Sequence, residues 1–466
     1  MHEPVLMYVE TQMRLQEGPA YMRLIRALAV GVDSGELRVG MALPSQRVLA
    51  KHLGLHFTTV TRAYTEARKR GLISAQPGLG TVVSSLQNTA PQHVVQAPAS
   101  AAVDLTSIWP PTLRIPLDLT AALVSLGGER GVALFSERAN RRDPEAVAPA
   151  IAWLQPRFSS ALANRVTASA GTRAALLALM RLVVGSRGTL LIEAVAWPTM
   201  RTLAAMLDIK LHAIAMDAHG IVPAALEEAI RQTGAGALYC VANAQNPTNA
   251  VMPLERRQAI AAIASKHDLR IFEDDVYGEL LEQRLPPLAD LAPRHVYYIA
   301  SLSKCLSPSL RVAYVVSPSA QHSRSLEDLL RATMLSAAPI EEALAAHTMR
   351  NKSAFRQIAR VRSEVRTRSL IVAAMLKDFR GSVRVGPLSV WLTLPPTWKR
   401  VELVEALRRR GVAILSSDVF ALDAGEPENA VRIATGAARD QQELRNALGT
   451  VVELLLSTSG LGIVQT

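Results

Sequence analysis

The chain has little cysteine, few aromatic side chains and no long apolar run. Cys240 and Cys305 are its two cysteines among 466 residues, which excludes a disulfide scaffold and fits a reducing compartment. Neither belongs to a C-x-x-C or a Cys/His cluster, and the histidines show no ligand spacing, so no metal is expected. Aromatics make up 4% of the chain. Apolar stretches such as Leu190–Val195 are interrupted, here by Glu193, and fall well short of the ~20 residues that span a membrane. The start, MHEPVLMYVETQMRLQEG, lacks the basic-then-apolar pattern of a secretory signal. A cytoplasmic protein with no membrane association is expected.

What is present excludes wholesale disorder, because 49% of residues are hydrophobic and 20% charged. At about 100–200 residues per domain, the length predicts two to four domains. The net charge of +11 favours an acidic partner. Residues 84–102, SSLQNTAPQHVVQAPASAA, carry no charge and no period and read as a linker. They divide a head, residues 14–83, from a body, residues 103–466.

In the head, Tyr21–Val32 reads as a helix with one buried face, Leu24, Ile25, Leu28 and Val32. Ser45 opens a second helix, Gln46–Leu53, which Gly54 ends. A third runs from about Thr58 to Arg70, with Val60, Ala63, Tyr64 and Ala67 as its apolar stripe. Two short helices around a tight turn form a helix-turn-helix, which places Thr58, Thr59, Thr61 and Arg62 near base edges. Residues 72–83 read as a β-hairpin wing around Gly78 and Gly80. Between Pro44 and Val83 the basic residues Arg47, Lys51, Arg62, Arg68, Lys69 and Arg70 face one acid, Glu66, as phosphate neutralisation requires. The string LPSQRVLAKHLGLHFTTVTRAYTEARKRGLISAQPGLGTVV resembles the GntR family of winged helix-turn-helix regulators. The resemblance implies a double-stranded DNA operator as partner. It also implies contacts from Ser45, Arg47, Thr58, Thr59, Arg62 and the Gly78–Gly80 wing. His56-Phe57 stands where the family often has Ser-Arg.

In the body, strands alternate with helices of 10–15 residues. Strands are expected at Gly188–Glu193, Lys210–Ala215, Ala237–Val241, Leu269–Glu273, Val296–Ile299 and Val312–Val316. Helices are expected at Thr172–Val184, Thr199–Leu207, Pro223–Arg231 and Leu254–His267. That pattern predicts an α/β fold on a mostly parallel sheet. The large part covers about residues 120–319 and a smaller α+β part about 320–460.

Several strings there carry chemistry. Ser301-Leu302-Ser303-Lys304 follows a strand, and Arg311 comes seven residues later. A lysine so placed suits an aldehyde cofactor bearing phosphate: Lys304 forms the Schiff base, and Ser301 and Arg311 hold the dianion. Asn246 and Asp274 each follow a strand, where sites of parallel sheets gather. Asp274 can pair with a pyridinium nitrogen, and Tyr277, three residues later, can reach a phenolic oxygen on the same ring. Ala170-Gly171-Thr172-Arg173 opens a helix whose N–H groups favour phosphate. Trp197 follows a strand and can stack on the ring.

These strings resemble aminotransferase fold type I in order and spacing. The resemblance implies pyridoxal 5'-phosphate as cofactor, with Lys304 as its catalytic lysine. It puts Asp274 on the pyridine nitrogen, Asn246 and Tyr277 on the ring oxygen, and Trp197 stacked. Gly171, Thr172, Arg173, Ser301, Ser303 and Arg311 hold the phosphate, and Arg432 clamps an effector carboxylate. Arg173 stands in place of a frequent Gln, Asn249 in place of Gly, and Arg141-Arg142 in place of a Tyr-Gly pair.

A GntR-like head on an aminotransferase-like body resembles the MocR family. That implies a transcription regulator and a homodimer with heads exchanged between subunits. Its operator binding responds to pyridoxal phosphate, an amino acid or an amine. Two other readings stand beside it: an aminotransferase with an accessory DNA-binding head, and a DNA-binding dimer whose body has lost the cofactor.

Overall fold

The computed structural model describes residues 3–16, 18–33, 36–37, 41–69, 72–76, 80–83, 103–113, 119–127, 144–422 and 427–456. Gly78, Arg141, Arg142 and the linker 84–102 lie outside the described residues. The chain divides into two compact units, Met1–Val94 and Val95–Thr466.

The first unit contains α1 (Glu3–Arg14), α2 (Ala20–Asp33), α3 (Gln46–Leu53), α4 (Phe57–Lys69) and a hairpin of β1 (Ile73–Gln76) and β2 (Gly80–Val83). Its core is built from the expected stripe, Leu24, Ile25, Leu28, Val60, Ala63, Tyr64 and Ala67. Val5, Val9 and Met13 of α1 join that core, so the head begins ahead of residue 14. The Ser45 hydroxyl caps α3 by accepting from the Val48 N–H at 3.3 Å. Gly54 ends the helix in the left-handed region at φ 62°, where a side chain would be strained. β1 and β2 pair antiparallel with Gln76 opposite Gly80, and Ala42 bridges Val82.

In the second unit the strands are β3 (Val103–Asp104), β4 (Val166–Ser169), β5 (Thr189–Glu193), β6 (Lys210–Ile214), a short β7–β8 hairpin (Met216–Asp217, Gly220–Ile221), β9 (Ala237–Cys240), β10 (Arg270–Asp274), β11 (Val296–Ser301) and β12 (Ala313–Val316). Seven of them form one sheet in the order β4-β12-β11-β10-β9-β5-β6. β12 runs antiparallel to both neighbours, and the other pairings in this sheet are parallel. Its central strands are apolar on both faces, as burial under two helical layers demands. The expected helix Thr172–Val184 is α-helical over Gly171–Leu179 and closes in a π-turn, Met180–Val184. The strand β4 and the helix Pro144–Leu154 have no counterpart in the sequence reading.

A four-stranded sheet completes the body: β13 (Ser382–Val385), β14 (Val390–Thr393), β16 (Leu415–Ser416) and β17 (Ala430–Ile433). β15 (Val412–Ala413) pairs separately with β3. Residues 412–416 thus form two short strands with different partners. The helix Pro339–Arg350 and the first half of Ser353–Met375 contribute Leu344, Met349, Ile358 and Val365 to the large core. The smaller core starts at Ile371 and includes Leu105.

Candidate functional site

The chemistry-bearing residues of the body gather at the C-terminal ends of parallel strands, where loops leave the sheet and backbone groups are free. Asp274 is the last residue of β10, Ser301 ends β11, Asn246 follows β9 and Trp197 follows β5. Strand alternation sets the faces. On β10, Phe272 and Asp274 share one side of the sheet, and the register opposes Phe272 to Tyr239 of β9. The Tyr239 hydroxyl therefore reaches across and donates to Asp274 Oδ2 at 3.0 Å. The other oxygen, Oδ1, is buried without a partner among the described residues. Burial pushes this carboxyl up to about 7, against the pull of the Tyr239 hydrogen bond and Lys304. An acceptor oxygen left unsatisfied on a buried acid fits the protonated ring nitrogen of a pyridine.

Lys304 lies beyond β11, and its ammonium donates to the Ile108 carbonyl at 2.5 Å. The Trp109 ring centroid is 5.0 Å from Nζ. Burial lowers the lysine to about 8, and the charges of Arg432, Arg173 and Arg311 add to the shift. Arg173 is lowered by burial and by Arg311. Among the described residues neither Arg173 nor Arg311 forms an ion pair. Two guanidiniums that repel each other beside an open helix start form a site short of negative charge. Gly171 supplies that start with φ +80° and empty space where a Cβ would stand. Ser301 Oγ lies 3.0 Å from Ser303 Oγ and accepts from the Ser303 N–H at 3.2 Å. The donors suit a phosphate dianion. Arg173 also lies over Trp197, 5.3 Å from the ring centroid. Tyr277 is buried, and its hydroxyl is raised by burial and lowered by Arg432.

Arg432, on β17, is buried. Its Nη1 donates to Asn246 Oδ1 at 2.9 Å, its Nη2 to the Thr106 carbonyl, and its Nε has no partner among the described residues. Phe420 lies beneath it at 4.8 Å. Burial lowers this guanidinium to about 10, so an anion beside it is strongly favoured. Tyr239, Thr106, Ile108, Trp109 and Phe420 were not anticipated. Tyr239 reads as core until the β9–β10 register is known, and backbone carbonyls leave no sequence signal.

In the head, Arg47, Thr58 and Arg62 are exposed near the N-termini of α3 and α4. The Arg62 guanidinium stacks over Tyr21 at 4.0 Å. Thr59 is half-buried, and Gly80 is exposed at φ +81°. Thr61 has an internal role: its hydroxyl donates to Gln46 Oε1 at 2.9 Å and shares the proton with the Phe57 carbonyl at 3.0 Å, tying α4 to α3. Thr58 Oγ1 lies 2.8 Å from His56 Nδ1. Among the described residues, no helix is long and apolar enough to cross a membrane, and no acid–His–Cys group is placed to hold a metal.

Residues 143–451 match the family model of aminotransferase class I and II, and residues 20–83 match that of bacterial regulatory proteins, gntR family. The chain is 27% identical to YdeF, an uncharacterized HTH-type transcriptional regulator of Bacillus subtilis, over 94% of its own length and 95% of the relative's. It is 27% identical to the HTH-type transcriptional regulator TauR of Rhodobacter capsulatus, covering 90% and 93%. Against the HTH-type pyridoxine biosynthesis transcriptional regulator PdxR of Corynebacterium glutamicum it is 26% identical, covering 62% and 64%. The fold is that of a kynurenine aminotransferase from Pyrococcus horikoshii, with a TM-score of 0.69 at 19% identity, covering 77% of this chain and 91% of that one.

Proposed function

The chain belongs to the aminotransferase class I and II family and carries a GntR-type head, the MocR arrangement; from this we infer a DNA-binding transcription regulator. Its operator affinity answers to pyridoxal 5'-phosphate and an amino-group effector met in the body. The observation that carries the reading is the buried, half-unsatisfied Asp274 in one site with a lysine lowered by burial and by surrounding arginines.

Bound there, the cofactor supplies an aldehyde for an amine and a pyridinium ring that accepts electron density. The chain's own residues do the rest. Lys304, lowered to about 8, is partly neutral at physiological pH and so nucleophilic. Asp274, held by Tyr239, keeps a proton on the ring nitrogen. Asn246 and Tyr277 address the ring oxygen, and Trp197 stacks. Gly171, Thr172, Arg173, Ser301, Ser303 and Arg311 bind the phosphate. Arg432 presents a fork for a carboxylate, which its unpartnered Nε and two replaceable acceptors make ready.

The head reads DNA through Arg47, Thr58, Thr59, Arg62 and the wing, with Ser45 and Thr61 fixing the two helices in register. A homodimer with exchanged heads is part of this reading, and equilibrium sedimentation reads its mass. The complete lysine–aspartate pair also keeps open a residual transaminase activity.

The test is absorbance of the purified protein with pyridoxal phosphate. A visible band in the wild type that Lys304→Ala lacks supports the cofactor and its lysine. No band removes the cofactor from the account. Salt-dependent retention of duplex DNA tests the head.

A further inference from the structure

The segment 103–113 is the first described stretch after the linker, and three observations make it more than a connection. First, it joins the two halves of the body. Val103 and Leu105 donate to the Gly411 and Ala413 carbonyls at 2.9 Å each, and Leu105 lies in the smaller core. Ile108, three residues on, lies in the large core. Second, its carbonyls hold both functional cations of the site: Ile108 accepts from Lys304 and Thr106 from Arg432. Third, the turn between them is fixed from within. Asp104 Oδ1 accepts from the Thr106 N–H at 2.8 Å and its hydroxyl at 2.6 Å, and the Ala434 N–H donates to Leu105 O at 2.9 Å. Gly436 packs directly against the Trp109 carbonyl, where any Cβ would collide.

We propose that segment 103–113 is a latch that senses occupancy of the site and passes it along the chain to the linker. This rests on the function inferred above. The two carbonyls compete with ligand for the same donors. When Lys304 condenses with an aldehyde, a C=N bond replaces the aldehyde's C=O, two of the ammonium hydrogens leave with that oxygen as water, and the one hydrogen left on the nitrogen turns to the ligand, so Ile108 O loses its partner. When a carboxylate takes the Arg432 fork, Thr106 O loses its partner as well. Buried carbonyls without donors are unfavourable, so the segment leaves this arrangement. The linker ends at the residue before it, so any shift of residue 103 is a shift of the linker's anchor. Ligand binding thereby favours one arrangement of the latch over another, the differential that coupling between distant sites requires. Trp109, 44% exposed over Lys304, covers the lysine in the latched state and makes the segment part of the site's wall.

The test uses the full chain and hydrogen exchange read on peptides covering residues 103–113. Adding pyridoxal phosphate to the wild type is expected to speed exchange there by about fivefold or more, the low end of ordinary coupling. Lys304→Ala without ligand, which removes the donor to Ile108, is expected to do the same. Arg432→Leu, which frees the Thr106 carbonyl, gives a second route if the first variant does not fold. Unchanged or slower exchange in these variants overturns the latch. Asp104→Ala loosens the turn and touches no ligand. Its affinity for a duplex selected by the wild type from a random pool is expected to match that of the loaded wild type. Affinity equal to that of the unloaded wild type overturns the coupling. A wild type that shows no pyridoxal phosphate band fails the functional reading instead, and the ligand-free variants still decide the latch.

Discussion

Tyr239 donates a hydrogen bond to one oxygen of the buried Asp274 carboxylate, and the other oxygen is buried with no partner among the described residues. One side chain thus orients the acid and leaves it one acceptor for a ligand. Tyr239→Phe is expected to weaken pyridoxal phosphate binding about tenfold or more, in line with ~1.5–3 kcal/mol for a hydrogen bond to a charged group. Equilibrium dialysis checks it, and unchanged affinity would show that Asp274 needs no support.

The same burial sets a pH dependence. Asp274 is raised from 3.8 to about 7 in the folded chain, so folding favours its protonated form. That contribution is fully present below the ordinary carboxylate range and is lost as pH rises through about 7. Cofactor-free Asp274→Asn lacks this loss. Its stability relative to the wild type is expected to be greater at pH 8 than at pH 4, by on the order of a few kcal/mol. Urea midpoints at the two pH values measure the gap, and an equal gap contradicts it.

Lys304 responds in the opposite sense. Burial and three arginines lower it to about 8, Arg432 being the largest of the charges. The rate of pyridoxal phosphate capture is expected to rise with pH through about 8. Removing one cation in Arg432→Leu moves the midpoint upward, toward the ordinary 10.5. Stopped-flow absorbance across pH reads both profiles.

In the head, Arg47→Ala removes one exposed cation from the first turn of α3. Operator affinity is expected to fall, and the slope of log K against log salt to become shallower by about 0.9, one phosphate contact. The pyridoxal phosphate band stays as in the wild type. An unchanged slope would move the phosphate contact elsewhere.

Lys304, Asp274 and Asn246 were proposed from short motifs at strand ends, where the fold class already places sites, and Gly171 from the start of a helix. The three head helices were legible because their apolar stripes repeat at helical spacing. Tyr239 was not, because an aromatic in an apolar strand reads as core until the register to β10 is known. Thr106 and Ile108 were hidden more deeply: they act through carbonyls, and Ile108 lies 196 residues from the lysine it holds. The helix Ser353–Met375 begins in one core and ends in the other with no break in composition, so the sequence carries no mark of where the two cores part.

The central claim is that the body's site governs the head's grip on DNA. Fluorescence anisotropy of the selected duplex, titrated with the full chain with and without pyridoxal phosphate, tests it most directly. The account predicts a change in affinity of about fivefold or more in the wild type and none in Lys304→Ala. Equal affinities in a wild type whose absorbance band shows the cofactor in place would contradict it.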